Sequence, residues 1–194
     1  MRTRSAALLP LLRSEVQGEV LALLLLHPDE SYTVTSVANT VHRPMQSIQK
    51  EISRLVDAGI LDDRKVGNMR YVQANTAGAL YAPLAELMAL TYGPEPVLRD
   101  LLAAMPQVQE AYIYGSWAAR RTGEPGPVPV DIDVIVIGSS PTSVLDEVAE
   151  RAESELHRPV NIRRVAPEDW AAAGSGFLQE LQSRPLIPLR GAAW

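Results

Sequence analysis

Tyr114 to Gly138 reads YGSWAARRTGEPGPVPVDIDVIVIG, and the order of residue types in it decides the architecture of the second half of the chain. Val108 to Tyr114 predicts a strand that runs into this stretch. Gly115-Ser116 follows directly, then a helix-compatible Trp117-Ala118-Ala119-Arg120-Arg121. A glycine-serine pair at a strand-to-helix turn lets backbone N–H groups and a hydroxyl approach a phosphate closely. Asp131-Ile132-Asp133 then falls in a second strand, whose period of two places both carboxylates on one face. Val130, Ile132, Val134, Ile135, Val136 and Ile137 around them are so apolar that two acids there need a compensating partner. Mg²⁺ is one such partner, a hard cation that prefers oxygen and keeps substrate phosphates in its shell. Solvation at the strand end, or pairing with Arg120 or Arg121, is the other.

The joint pattern resembles the small "minimal nucleotidyltransferase" domains of the DNA polymerase β superfamily. The resemblance implies that Gly115 and Ser116 hold the phosphates of a nucleoside triphosphate. It implies equally that Asp131 and Asp133 are the metal-binding and catalytic residues, with Mg²⁺ stabilising the attacking and leaving oxygens of an in-line displacement. A third acid on a later strand helps activate the attacking hydroxyl in that family. Here a helix from about Ser143 to His157, with Val144, Leu145, Val148, Ala152 and Leu156 on one side, leads into the strand RPVNIRRV, and Asn161 stands at the third position. Asparagine can ligate a metal through its carbonyl but cannot accept a proton at neutral pH. Either Glu168, Asp169 or Glu124 serves instead, or transfer is slow or absent. Arg163 shares a strand face with Asn161, placed to touch a phosphate or to pair with a nearby acid. The tail, through APEDW, GSGFLQEL and RPLIPL, predicts a short helix, a Gly-rich loop, another helix and a final extended piece, with Trp170, Phe177 and Leu181 in the core.

Toward the N-terminus the periodicity changes to that of helices. Val16, Val20, Leu23 and Leu24 recur at helical spacing between Ser14 and Leu26, and His27-Pro28-Asp29 stops the run. A second short helix starts with Thr33 or Thr35 as its cap and turns Val37, Ala38 and Val41 inward. Pro44 suits the first turn of a third helix, where Met45, Ile48, Ile52, Leu55 and Val56 form a buried stripe and Gln46, Ser47, Gln49, Lys50, Ser53 and Arg54 the opposite face. Gly59 is positioned as its left-handed terminator. Gly67-Asn68 then reads as a hairpin turn with basic flanks. Three helices and a basic hairpin make a winged helix-turn-helix, and SRLVDAGIL followed by VGNMRY resembles the arsenic-repressor-like winged-helix regulators. Gln side chains can pair with adenine edges, while Lys and Arg meet phosphate or guanine. Gln46, Ser47, Gln49 and Lys50 are therefore the expected major-groove residues of double-stranded DNA. Arg64, Lys65, Asn68 and Arg70 are the expected wing contacts. A merely solvated polar face is the alternative.

Between the halves, Leu80, Leu84, Leu87, Met88 and Leu90 precede Gly93-Pro94-Glu95-Pro96, and Val97, Leu98, Leu101 and Leu102 follow it: two helices with a break. The first is apolar on more than one face and serves either a homodimer interface or packing onto its own domain. The whole predicts an α+β fold: a winged helix-turn-helix over residues 1–78, a helical connector over 79–105, and a small mixed-sheet nucleotidyltransferase fold over 106–194.

Composition narrows the chemistry. With 194 residues, no cysteine and three histidines, the chain offers no disulfide, thiolate metal site, cysteine nucleophile or histidine-rich metal centre. The longest apolar run, Val20–Leu26, is far shorter than the roughly 20 residues that span a bilayer, and no small-residue cleavage pattern opens the chain; a cytoplasmic protein without membrane contact is the expectation. The net charge of -5 collects after residue 100, leaving the first half near neutral and able to present a local basic face. The leading expectation is a DNA-binding transcriptional regulator whose second domain binds Mg²⁺ with a nucleotide. The alternatives are an active nucleotidyltransferase with an unidentified acceptor, or, by family analogy alone, an antitoxin with a toxin partner.

Overall fold

The computed structural model describes residues 12–191; residues 1–11 and 192–194, which include the N-terminal stretch read for a cleavage pattern and the far ends of both terminal domains, lie outside the described residues. The fold is mixed α+β, and the chain divides into two compact units, Met1–Gly93 and Pro94–Trp194. The stretch 79–105 is shared between them, its first helix belonging to one unit and its second to the other.

In the first unit α1 (Glu15–Leu26) begins where the Ser14 hydroxyl accepts from the Gln17 amide at 3.2 Å. Thr33 caps α2 (Val34–Thr40) in the same way, accepting from the Ser36 amide at 3.0 Å. Pro44 precedes α3 (Met45–Asp57), which ends through Gly59 at φ +69°. The hairpin β2 (Leu61–Val66) and β3 (Met69–Ala74) turns at Gly67, φ +59°, with glycine in the first central position as a type II′ turn prefers. One strand escaped the sequence reading: β1 (Tyr32–Thr33) adds to β3 in a sheet of order β1-β3-β2, and two residues are too few to show alternation. The core joins Val20, Leu23 and Leu24 of α1, Val37 of α2, Ile48, Ile52 and Leu55 of α3, and Met88 of α4 (Tyr81–Tyr92). Leu80, just before α4, and Leu87 and Leu90 within it are exposed.

The second unit opens with α5 (Pro94–Ala103), whose first turn absorbs Pro94 and Pro96 at no hydrogen-bonding cost. Then follow β4 (Val108–Tyr114), α6 (Gly115–Arg121), β5 (Ile132–Gly138), α7 (Thr142–Leu156), β6 (Val160–Val165), α8 (Pro167–Ala172), α9 (Gly176–Gln182) and β7 (Ile187–Arg190). The sheet runs β6-β5-β4-β7; β4 is antiparallel to both neighbours, and β6 lies parallel to β5 after the α7 crossover. Strand alternation splits the core into two layers. Ile132, Val134 and Val136 pack with Leu98 and Leu102 of α5 and with Leu145, Val148, Ala152 and Leu156 of α7. Ile135 and Ile137 pack with Leu178 and Leu181 of α9 and with Trp170 of α8. Two expected core residues stand outside. Val144 is 37% exposed because Leu145, three residues before Val148, takes the inward place in the first turn of α7. Phe177 is 38% exposed because Leu178 and Leu181 fill the inward positions of α9. Among the described residues no helix is long and apolar enough to cross a membrane.

Candidate functional site

In the second unit the strand register brings the acid pair and the glycine turn together. Asp133 lies between Tyr114 of β4 and Asn161 of β6, and Asp131 stands one residue ahead of β5 on the same face as Asp133. Asn161 Nδ2 donates to Asp131 Oδ2 at 3.2 Å and to Asp133 Oδ1 at 3.1 Å, so one amide nitrogen occupies a point within hydrogen-bonding reach of both carboxylates. Gly115 adopts φ +72°, and a Cβ there would lie 2.9 Å from Asp133 Oδ2. The left-handed backbone favours glycine, and any Cβ would also push the Asp133 carboxylate aside. Ser116 is exposed beside it. Burial pushes the Asp133 carboxyl above the usual carboxylate range, the Asn161 hydrogen bond draws it back, and the charge of Asp131 adds to the rise. Tyr114 is likewise raised, mainly by burial and next by Asp133, with Arg163 opposing.

None of Glu124, Glu168 and Asp169 completes a third acid. Among the described residues no group of three Asp, Glu, His or Cys is placed to hold a metal. Glu124 instead reaches Arg120 at 3.9 Å, and Arg121 pairs with Glu95 at 2.8 Å. The donor set fits a hard divalent cation with two carboxylates and one amide. Turning the Asn161 amide about its last bond replaces the nitrogen facing the acids with its carbonyl oxygen, giving three oxygen donors. No base stands among them that a third carboxylate would supply.

Arg163, two residues beyond Asn161 on the same face of β6, sets its guanidinium carbon 4.5 Å from the Phe177 ring centroid. Phe177 meets Tyr114 edge to face at 6.2 Å. A hollow of about 420 Å³ adjoins the Arg163 and Phe177 side chains, lined also by Arg164, Asp169 and Ser175 and by none of Asp131, Asp133, Asn161, Gly115 and Tyr114. The sequence announced the Asn161-x-Arg163 alternation, but nothing in it showed that Phe177 meets Arg163.

In the first unit Gln46, Ser47, Gln49 and Lys50 are exposed along one face of α3, with Ser53 half-buried beside them. Arg64, Lys65 and Asn68 are exposed on the hairpin, with Arg64 5.2 Å over the Tyr71 ring. Arg70 is already engaged: it pairs with Asp63 at 2.6 Å and donates to the Ser53 hydroxyl at 3.1 Å, tying β2 and β3 to α3. The sequence reading stressed the cations of LDDRKV and passed over Asp62 and Asp63, which temper them. It also missed Glu51, buried on α3 at 5% exposure and held by Arg13 at 3.3 Å and Arg54 at 3.5 Å. Arg43 pairs with Glu19 at 2.6 Å and Glu15 at 3.2 Å, fixing α1 to the segment that leads into α3. Those contacts, the Glu19 hydrogen bond first, raise the Arg43 guanidinium further above its ordinary value.

Comparison with known proteins adds little. No family model matches the chain, and no curated protein matches it. A structure of a tri-AMPylated Shewanella oneidensis HEPN toxin in complex with MNT antitoxin is similar over 50% of this chain and 66% of the matched one, with 22% identity and a TM-score of 0.32. The heme sensor protein PefR from Streptococcus agalactiae in complex with heme is similar over 56% of this chain and 67% of its own, with 16% identity and a TM-score of 0.33. PefR in complex with heme and carbon monoxide gives 74% and 77%, with 14% identity and a TM-score of 0.34. Likenesses this faint bear on neither ligand nor activity.

Proposed function

We propose that the chain is a DNA-binding transcriptional regulator, its first unit a winged helix-turn-helix and its second a nucleotidyltransferase-type fold that binds Mg²⁺ with a nucleoside triphosphate without transferring it. The observation that carries the ligand half is the single Asn161 nitrogen donating to both Asp131 and Asp133 at 3.2 and 3.1 Å, which places the two acids together beside a glycine turn. Asp131 and Asp133 hold the metal, and Gly115 and Ser116 receive the phosphates. Bound Mg²⁺ supplies charge neutralisation for those phosphates. Asn161 holds the acids in register but cannot take a proton from an acceptor hydroxyl, which favours binding over turnover.

For DNA, the exposed α3 face of Gln46, Ser47, Gln49 and Lys50 supports base-edge readout, and Arg64, Lys65 and Asn68 support backbone or minor-groove contacts. Arg70 acts indirectly, by bracing the hairpin against α3. Nucleotide regulates DNA binding if the two DNA-binding states differ in nucleotide affinity.

Calorimetric titration of ATP, GTP, CTP and UTP with Mg²⁺ tests the ligand half: binding is expected in the native chain and absent in Asp131→Asn and Asp133→Asn. Binding that survives in both variants overturns the site. On duplexes selected from a random pool, Gln49→Ala with Lys50→Ala should weaken binding about tenfold or more, the scale of one lost bidentate base contact. An unchanged footprint refutes the reading face. If Mg²⁺ and nucleotide alter neither DNA affinity nor its salt dependence, regulation by nucleotide is excluded.

A further inference from the structure

One face of the second sheet is only partly covered. Ile135 and Ile137 lie beneath α8 and α9, whereas toward Asp133 the cover ends at Phe177, the second residue of α9. On that face the strand register groups Tyr114, Asp131, Asp133, Asn161 and Arg163. In the parallel register Asp133 pairs with Asn161 and Ile135 with Arg163, so the arginine stands one pleat, about 7 Å, from the acid pair along β6. Phe177 closes this step: Arg163 lies over its ring, Tyr114 meets its edge, and its outer part faces the hollow of about 420 Å³.

An aromatic ring left 38% exposed at the rim of a core loses the burial that would otherwise explain it. A planar guanidinium over that ring is a second flat surface that stacks equally well on a heterocycle. Base–aromatic and base–arginine stacking are the usual ways proteins hold a base without reading its edges. The acid pair and Gly115, proposed above to take cation and phosphate, thus stand one pleat from a flat, cationic pair of side chains.

We infer that Phe177 and Arg163, beside the hollow that adjoins them, form a base subsite and hold the heterocycle of a nucleoside triphosphate by stacking. The inference rests on the nucleotide binding proposed above. Stacking of this kind tolerates any base and favours the larger π face of a purine over a pyrimidine.

The test compares ATP with inorganic tripolyphosphate, each titrated calorimetrically with Mg²⁺ into the full chain. The native protein is expected to prefer ATP by about tenfold or more, the scale of one base–aromatic stack. In Phe177→Leu that ratio should collapse toward one; in Phe177→Tyr it should persist, and Arg163→Gln should reduce it in part. Circular dichroism melts verify that each variant folds. A native protein without preference, or a Phe177→Leu protein that keeps it, overturns the subsite while leaving the phosphate end intact. Failure of both ATP and tripolyphosphate to bind the native chain removes the nucleotide function itself, and the subsite with it.

Discussion

Glu51 in the first unit and Asp133 in the second are both withdrawn carboxylates, and they are compensated in opposite ways. Glu51 meets two guanidinium groups, from Arg13 and Arg54. Asp133 meets a neutral amide and a second acid. A buried charge that carries its own counter-ions is part of the scaffold; a half-buried one without them relies on solvent, on its proton or on a cation from outside. The difference separates an acid neutralised within its own unit from one that has no cation beside it among the contacts described.

The largest effect is expected at Asn161. Asn161→Asp removes the amide donor and places a third carboxylate against the pair, so affinity for Mg²⁺ or Mn²⁺ should rise by about tenfold or more, as ligand charge count dictates. Without divalent cation the same variant should melt earlier, since three acids then repel. Calorimetric titration and melts with and without the ion read both halves, and equal cation affinity in the two proteins breaks the contrast. Next is the scaffold acid. Replacing Arg13 and Arg54 together by Ala leaves Glu51, its side chain 7% exposed, without cations. The arginines are themselves 57% and 45% exposed, so solvent screening limits the loss to about 1–3 kcal/mol. Urea unfolding measures it; no change would make Glu51 indifferent to its partners.

The smallest effect concerns pH. Burial raises the folded carboxyl of Asp133 above its unfolded value. Its contribution to stability is therefore complete in acid, below the unfolded value, and is lost as pH rises through the folded one. Asp133→Asn avoids that loss, so in divalent-free buffer the variant should melt higher than the native chain near pH 7, with the advantage fading toward about pH 4. A variant less stable at neutral pH would mean that the charged form of Asp133 is well accommodated.

Much of this was legible in the chain itself, wherever local rules act alone. Ser14, Thr33, Pro44 and Gly59 mark helix ends by capping and by backbone preference, and the period of two correctly paired Asp131 with Asp133. What escaped depends on contacts distant in sequence. Glu51 reads as one more polar residue of α3 until Arg13, thirty-eight positions earlier, is folded against it. Phe177 reads as core, because periodicity reports that a residue is apolar but not where the layer above it ends. Arg70 reads as a DNA contact until Asp63 and Ser53 claim it.

The left-handed backbone of Gly115, pressed against Asp133, also governs how freely this unit can be altered. A saturation library at position 115 selected for folded protein should return mainly glycine, because other residues meet unfavourable torsion and must displace the Asp133 carboxylate. Position 116 is exposed one step later, so Ser116→Ala should melt as the native chain does, and a loss of nucleotide binding there would report on the phosphate contact proposed above.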